Sequence, residues 1–378
     1  MSKMIIEKEE LDLFFDSKVR KDLYAHQKFV LNHDDWNHLK IHVPTSGGKT
    51  LSAVLFALKE KYDNPSKLVK TILTYPTNLL SQNQFEASVV KGLVEWVGAK
   101  EIERGILHPV KKRVVPGWGS FFGSYTGGAP TIVFELPTKL AKAKLWLSIL
   151  NGEILFNMFD EENRIELGEK KGKYLFNILD TLSQRDHIII TSPDLLGYVA
   201  QQCYSISSGW YRKRWKNELS LRFWEHRAVI DEYHFYDPYT YINLEKTLEK
   251  LNIEKVLLLS ATKKGAYFDR AEVLSVKELE EEFVRDKVKT HTASYPIEVD
   301  LIENDLKIEE NPKLTTMYFF NSVITAHELA EQLRNKGVNL TEWTGIQKTS
   351  GDLSKLIIAT SAAEVGLDLE LYEVHTQF

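Results

Sequence analysis

The chain has 378 residues, 43% hydrophobic and 27% charged, with a formal net charge of −5, the profile of an ordinary globular protein of two or three domains. Its single cysteine, Cys203, excludes a disulfide framework and a cysteine-built metal site, and reads as a small buried hydrophobe. The N-terminus MSKMIIEKEELDLFF is charged from its third residue and no apolar run approaches the roughly 20 residues of a membrane span, so the expected setting is cytoplasmic, with no membrane partner.

Taken in order, short apolar runs alternate with helical stretches. LKIHV (39–43) leads into a helix from Lys49, KTILTYP (70–76) into one from about Asn78, and HIIITSP (187–193) into one from Asp194. AVIDE (228–232) leads into a helix near Pro238, and KVLLLSAT (255–262) ends the series. Such alternation predicts an α/β fold with a parallel sheet covered on both faces. Between the second and third units lies a less regular insertion at about 100–185. Its stretch PGWGSFFGSYTGGAP (116–130) reads as a loop or lid exposing Trp118, Phe121, Phe122 and Tyr125. The acidic VKELEEEFVRDK (276–287) reads as a solvated helix bridging to a second unit. That unit restarts with IEVDLIE (297–303), continues through TTMYFFN (315–321) and a helix over Val323 to Lys336, and reaches KLIIATS (355–361). The expected organisation is a first domain over 1–264, a linker over 265–294 and a second domain over 295–378.

Two stretches carry chemistry. PTSGGKT (44–50) sits between a strand and a helix, where backbone N–H groups at a glycine turn and the positive helix end face phosphate oxygens. Lys49 supplies a cation for the β and γ phosphates of a nucleotide, and Thr50 a hydroxyl for Mg²⁺. The usual pattern has glycine six residues before the lysine, where this chain has Val43, so the signal rests on Gly47, Gly48, Lys49 and Thr50. In VIDEYHFYD (229–237), the apolar residues Ala228, Val229 and Ile230 deliver Asp231 and Glu232 to a strand's carboxyl end, where open α/β sheets bind ligands. Asp231 would hold the magnesium, and Glu232 would orient and deprotonate water.

Charge is unevenly spread. Residues 1–262 carry 35 Lys and Arg against 32 Asp and Glu, whereas 263–378 carry 13 against 21, so any polyanion track belongs mostly to the first part. The stretch Trp210, Tyr211, Arg212, Lys213, Arg214, Trp215, Lys216 alternates cations with aromatic faces. It fits either a surface for stacking bases or an amphipathic helix with a solvated basic face. Lys111, Lys112 and Arg113 form a weaker patch. The His33-Asp34 pair lacks the companion histidines and aspartates of a metal-dependent nuclease.

Gln27, PTSGGKT (44–50), YPTNLL (75–80), ITSPDLL (190–196), DEYH (231–234), SAT (260–262), YFFNS (318–322) and ATSAAEVGLDL (359–369) together resemble the ordered motifs of superfamily 2 helicases. DEYHFYD and ATSAAEVGLDL are similar to the helicase subunit of type I CRISPR interference systems, and the absence of a preceding nuclease domain looks like types I-D or I-A. The resemblance implies two tandem RecA-like domains closing on ATP and Mg²⁺, and a motor that moves along single-stranded DNA. Its partners would be a CRISPR surveillance complex and a separate HD-type nuclease subunit.

The same resemblance implies individual roles. Gln27 reads the adenine edge; Thr45, Ser46, Gly47 and Gly48 cradle phosphate; His234 couples the γ-phosphate site to Ser260 and Thr262. Pro76, Thr77, Thr191 and Asp194 line the strand path, with Arg212, Arg214, Asn321 and Thr360, although helix capping explains Thr191 and Asp194 equally well. Thr360, Glu364, Gly366 and Asp368 match a segment that senses nucleotide and nucleic acid. The chain contains no Gln-x-x-Gly-Arg-x-x-Arg-like stretch to supply an arginine finger, so the second domain is expected to be incomplete. A superfamily 2 enzyme acting on RNA or repair intermediates, and a nucleotide-gated subunit without turnover, remain alternatives.

Overall fold

A computed structural model divides the chain into two compact units, a large one over Glu7–Pro296 and a small one made of Met1–Ile6 with Ile297–Phe378. It describes residues 2–6, 9–44, 47–64, 66–77, 80–81, 84–96, 100–106, 131–136, 144–149, 186–201, 225–262, 271–294, 297–301, 308–344, 354–360 and 373–376.

β1 (Ser2–Ile6) belongs to the small unit. The large unit opens with β2 (Glu9–Asp16), β3 (Lys21–Tyr24) and α1 (Ala25–Asn32). Its main sheet is built from β4 (His38–His42), β5 (Lys70–Thr74), β6 (Lys100–Ile106), β7 (Thr131–Leu136), β8 (Lys144–Ile149), β9 (His187–Thr191), β10 (Arg227–Asp231), β11 (Lys255–Ser260) and β12 (Glu272–Ser275). Across the sheet the order is β12-β4-β11-β10-β5-β9-β7-β8-β6. Neighbours from β12 to β7 pair in parallel, and the last two pairings are antiparallel. Every residue of HIIIT in β9 and RAVID in β10 is buried. Strands covered on both faces need such unbroken apolar runs, and the branched Ile and Val side chains suit the pleat.

Helices α2 (Lys49–Asp63), α3 (Val90–Glu95), α4 (Pro193–Ala200) and α5 (Pro238–Lys250) follow β4, β5, β9 and β10. The start of α5 is fixed locally: Asp237 Oδ1 accepts the N–H groups of Tyr239 and Thr240, and Pro238 supplies a helical φ at the first position.

Two regions differ from the sequence-based expectation. The insertion contributes β6, β7 and β8 to the edge of the main sheet, while its stretch 116–130, with Trp118, Phe121, Phe122 and Tyr125, lies outside the described residues. Residues 272–294, expected within a linker, form β12, α6 (Val276–Glu282) and β13 (Lys287–Ser294) in the large unit. β12 extends the main sheet beside β4, and β13 makes a three-stranded sheet with β2 and β3. Helix α6 is only partly solvated: Val276, Leu279 and Glu280 are buried, and Glu280 Oε1 accepts the Asp12 N–H at 2.7 Å.

The small unit holds a four-stranded parallel sheet ordered β16-β17-β15-β18, from β15 (Thr316–Phe319), β16 (Leu340–Trp343), β17 (Leu356–Ala359) and β18 (Glu373–Thr376). Helix α7 (Val323–Asn335) packs Ala326, Ala330 and Leu333 with Tyr318, Leu340 and Ile358. In the same unit, β1 pairs antiparallel with β14 (Ile297–Leu301), Ile6 facing Ile297.

Candidate functional site

Parallel pairing aligns the carboxyl ends of β4, β5, β9, β10 and β11. The turns that follow therefore bring Gly47 to Thr50, Pro76 and Thr77, Ser192 to Asp194, Asp231 to His234, and Ser260 to Thr262 to one edge of the large unit's sheet. Parallel α/β sheets expose unpaired strand ends and helix starts at this edge, which is why ligands collect there.

The glycine turn is held in shape from below. Gly47 donates its N–H to the Pro44 carbonyl at 3.0 Å, and Gly48, at φ 77°, adopts the left-handed conformation that precedes α2. A Cβ on Gly48 would lie 2.5 Å from Gln27 Nε2, so glycine is required by conformation and by space. Gln27 is buried, donating from Nε2 to the Gly48 carbonyl at 3.0 Å and accepting the Tyr24 N–H at 3.1 Å. It thus braces the glycine turn; both ends of its amide are engaged by protein groups. His26, fully buried, sits beneath the same turn with its ring stacked on Tyr24. Burial pushes its pKa down to about 3, the Lys49 charge lowers it further, and the Gly47 backbone opposes this without closing a well-formed hydrogen bond. Sequence reading passed over His26 because a lone histidine at a helix start carries no pattern.

Asp231 ends β10 almost wholly buried, accepting the Glu232 N–H at 2.8 Å. Burial raises its pKa to about 7; the Glu232 carboxylate adds to the rise, and Lys49 and that N–H offset part of it. Glu232, at φ 47°, is a non-glycine residue in the left-handed region, a conformation of order 1–3 kcal/mol above the usual wells that turns its carboxylate toward Lys49 at 3.2 Å. His234 Nδ1 hydrogen-bonds Ser260 Oγ at 2.7 Å and lies 3.4 Å from Glu232 Oε2. Ser260 in turn donates to the Thr262 carbonyl and accepts the Thr262 N–H. His234 of the DEYH segment and Ser260 of the SAT segment are thus in direct contact, and Ser260 bonds the backbone of Thr262. Thr50 donates its hydroxyl to Gln84 Oε1 at 3.1 Å, leaving the oxygen's lone pairs available to a cation.

Several residues do less than expected, or something else. Thr191 is fully buried. Its carbonyl accepts the Tyr75 N–H at 3.0 Å, so its side chain does not stand on the rim. Asp194 is exposed in the first turn of α4, with Ser192 at the cap position. Thr77 is exposed and accepts the Leu80 N–H, with Pro76 beside it half-buried. In the small unit, the strands preceding Asn321 and Thr360 are neighbours, joined by the Phe320 N–H to Ala359 carbonyl bond. Asn321 is exposed, whereas Thr360 is fully buried with its hydroxyl unpartnered. Thr45, Ser46, Arg212, Arg214, Glu364, Gly366 and Asp368 lie outside the described residues, as do Cys203 and Lys111 to Arg113. His33 pairs with Glu282 and Asp34 with Arg227, away from any metal-like cluster.

The donor set fits a magnesium nucleotide. A desolvated carboxylate whose proton is lost only near neutrality, a threonine oxygen and an ammonium at a helix start are what a divalent cation and phosphates satisfy. Among the described residues no group of three or more His, Cys, Asp or Glu could hold a metal by itself, and no helix is long and apolar enough to cross a membrane.

No family model and no curated relative matches the chain. Solved structures do. Mss116p bound to ssRNA and AMP-PNP is 14% identical with a TM-score of 0.50, over 96% of this chain and 66% of its own. The DUF1998 helicase MrfA bound to DNA is 15% identical with a TM-score of 0.51, over 99% and 49%. The DEAD-box helicase Mss116 bound to ssRNA and UDP-BeF is 14% identical with a TM-score of 0.51, over 98% and 70%. This chain thus spans from half to about two thirds of these three proteins. At such identities the likeness is one of fold: α/β with parallel sheets, as the strand-helix alternation predicts, and RecA-like, as the motif resemblance implies.

Proposed function

We propose that this chain is an ATP-dependent helicase of superfamily 2 that moves along a single nucleic-acid strand. The observation that carries this reading is the constellation of Lys49, Asp231, Glu232, His234 and Ser260 on one sheet edge, joined by contacts of 2.7 to 3.4 Å. Magnesium, when bound with ATP, would supply positive charge against the β and γ phosphates. Lys49 and the glycine turn bind and orient the phosphates, Thr50 and Asp231 hold the ion, and Glu232 takes the proton of the attacking water. Because Lys49 and Glu232 already face each other, phosphate exchanges for a carboxylate at the ammonium and frees Glu232 to act as base. His234 reports the change to Ser260 and Thr262.

DNA is the proposed strand, in the setting of type I CRISPR interference with the nuclease on a separate polypeptide, supported by the wording of DEYHFYD and ATSAAEVGLDL. The structures alike in fold are bound to ssRNA in two cases and to DNA in one, which makes RNA the competing strand. Pro76, Thr77 and Asp194 of the large unit are assigned to this track. The first domain of this reading carries the nucleotide chemistry and the second, from about 295, the other half of the motor.

ATP hydrolysis measured with single-stranded DNA, with single-stranded RNA and with neither, beside Lys49→Ala and Glu232→Gln, tests the proposal. Stimulation by DNA above RNA is expected. Lys49→Ala should weaken nucleotide binding at least about 100-fold, and Glu232→Gln should leave binding intact while lowering turnover about 1,000-fold. Nucleotide binding that Lys49→Ala leaves unchanged would refute it.

A further inference from the structure

Tyr75, the first residue past β5, is fully buried, yet its hydroxyl has no hydrogen-bond partner among the described residues. A phenol stripped of water without a partner costs about 1–3 kcal/mol, so its retention in place of phenylalanine calls for a reason. Its place in the sheet supplies one. In the β5–β10 ladder Thr74 faces Ile230, so the next step sets Tyr75 beside Asp231. Residues at the same level of adjacent strands project to the same face of the sheet. The Tyr75 N–H bonds the Thr191 carbonyl at 3.0 Å, which pins the backbone on its other side. A phenol carries its proton at neutral pH and so offers a donor at this level. Tyr236 differs, because it donates its hydroxyl to Thr74 Oγ1 at 3.4 Å.

We propose that Tyr75 is a positioning residue for the metal held at Asp231, its hydroxyl being a donor reserved for the acceptor oxygens that gather there when magnesium and nucleotide bind. This rests on the nucleotide-binding reading above. Among the described residues Asp231 has one donor that favours its ionised form, the Glu232 N–H, besides the charge of Lys49. A second donor that reaches this carboxylate when the ion is bound would orient it in the way that partners behind a metal ligand do, typically worth 10-fold or more in metal affinity.

The test is binding of a fluorescent ADP to the 378-residue chain across a magnesium titration, for wild type, Tyr75→Phe and Lys49→Ala, with the melting temperature of each nucleotide-free protein. Tyr75→Phe is expected to raise the half-saturating magnesium concentration about fivefold to tenfold, to leave magnesium-free binding unchanged, and to hold or raise the melting temperature, since it removes an unsatisfied group. An unchanged magnesium requirement overturns the proposal, as does a lowered melting temperature, which would reveal a purely structural hydrogen bond. Binding by wild type that Lys49→Ala abolishes, with no effect of Tyr75→Phe, defeats this inference and leaves the nucleotide site standing. Absence of binding by wild type at any magnesium concentration defeats both.

Discussion

The two ends of strand β10 treat their charged residues differently. At its start, Arg227 is buried but donates to both Asp34 oxygens at 3.2 and 3.3 Å, pairs with Glu60 and lies 5.0 Å over the Phe56 ring. Around it Lys61 pairs with buried Asp186, whose other oxygen accepts the Val69 N–H, and Lys255 donates to the carbonyls of Asp34 and Trp36. At the far end, four residues on, Asp231 is desolvated, Glu232 is held at positive φ and the Tyr75 hydroxyl is unpartnered. At the first end the charges are paired, although Arg227 Nη1 finds no partner among the described residues; at the second, the carboxylates and the phenol stand where a ligand can complete them. Local violations of packing and polar rules are expected at functional sites.

The widest separation between the two ends should come from Arg227→Ala. It leaves Asp34 and Glu60 without their shared cation and opens space beneath Phe56. Stability should fall by about 2–4 kcal/mol in urea unfolding, chiefly from the cavity left beside Phe56, since both carboxylates are partly exposed, with nucleotide affinity of the folded fraction unchanged. A loss below about 1 kcal/mol would erase the contrast. Asp231→Asn should act in the opposite sense. By removing a buried charge it should stabilise the nucleotide-free chain by about 2–3 kcal/mol at pH 8 while abolishing hydrolysis, so a destabilised Asn variant would mean that the carboxylate is satisfied after all. The smallest effect concerns His26. Its folded pKa of about 3 lies below the ordinary 6.5, so its contribution is present above pH 6.5 and is lost as pH falls from 6.5 toward 3. His26→Leu should flatten the decline in stability between pH 6.5 and 5 by about 1.4 kcal/mol per pH unit, read from melting curves.

What could be read in the sequence follows the distance over which the information is written. The five strand-to-helix transitions and the chemistry of PTSGGKT and DEYH are local, and the strands fall within a residue or two of their expected positions. The β2–β13 pairing joins Asp12 to Thr290, and nothing near EELDLFFD announces a partner so remote. Helix α6 looked solvated because its acids are counted as charges, yet Glu280 is buried on the Asp12 backbone. Gln27 was identified, but that its amide would be engaged by Gly48 and Tyr24 depends on the packing of α1 under the turn. Gln84 beside Thr50 and Tyr75 beside Asp231 depend likewise on helix packing and strand register.

The pairing of β1 with β14 also has a consequence for birth on the ribosome. Ile6 must wait for Ile297, some 290 residues later, which at typical elongation rates of about 5–20 residues per second is on the order of tens of seconds. Through that interval the large unit can complete its folding while an unpaired strand hangs from its leading end. Ribosome-associated chaperones, or a protease, would meet that strand before its own partner does.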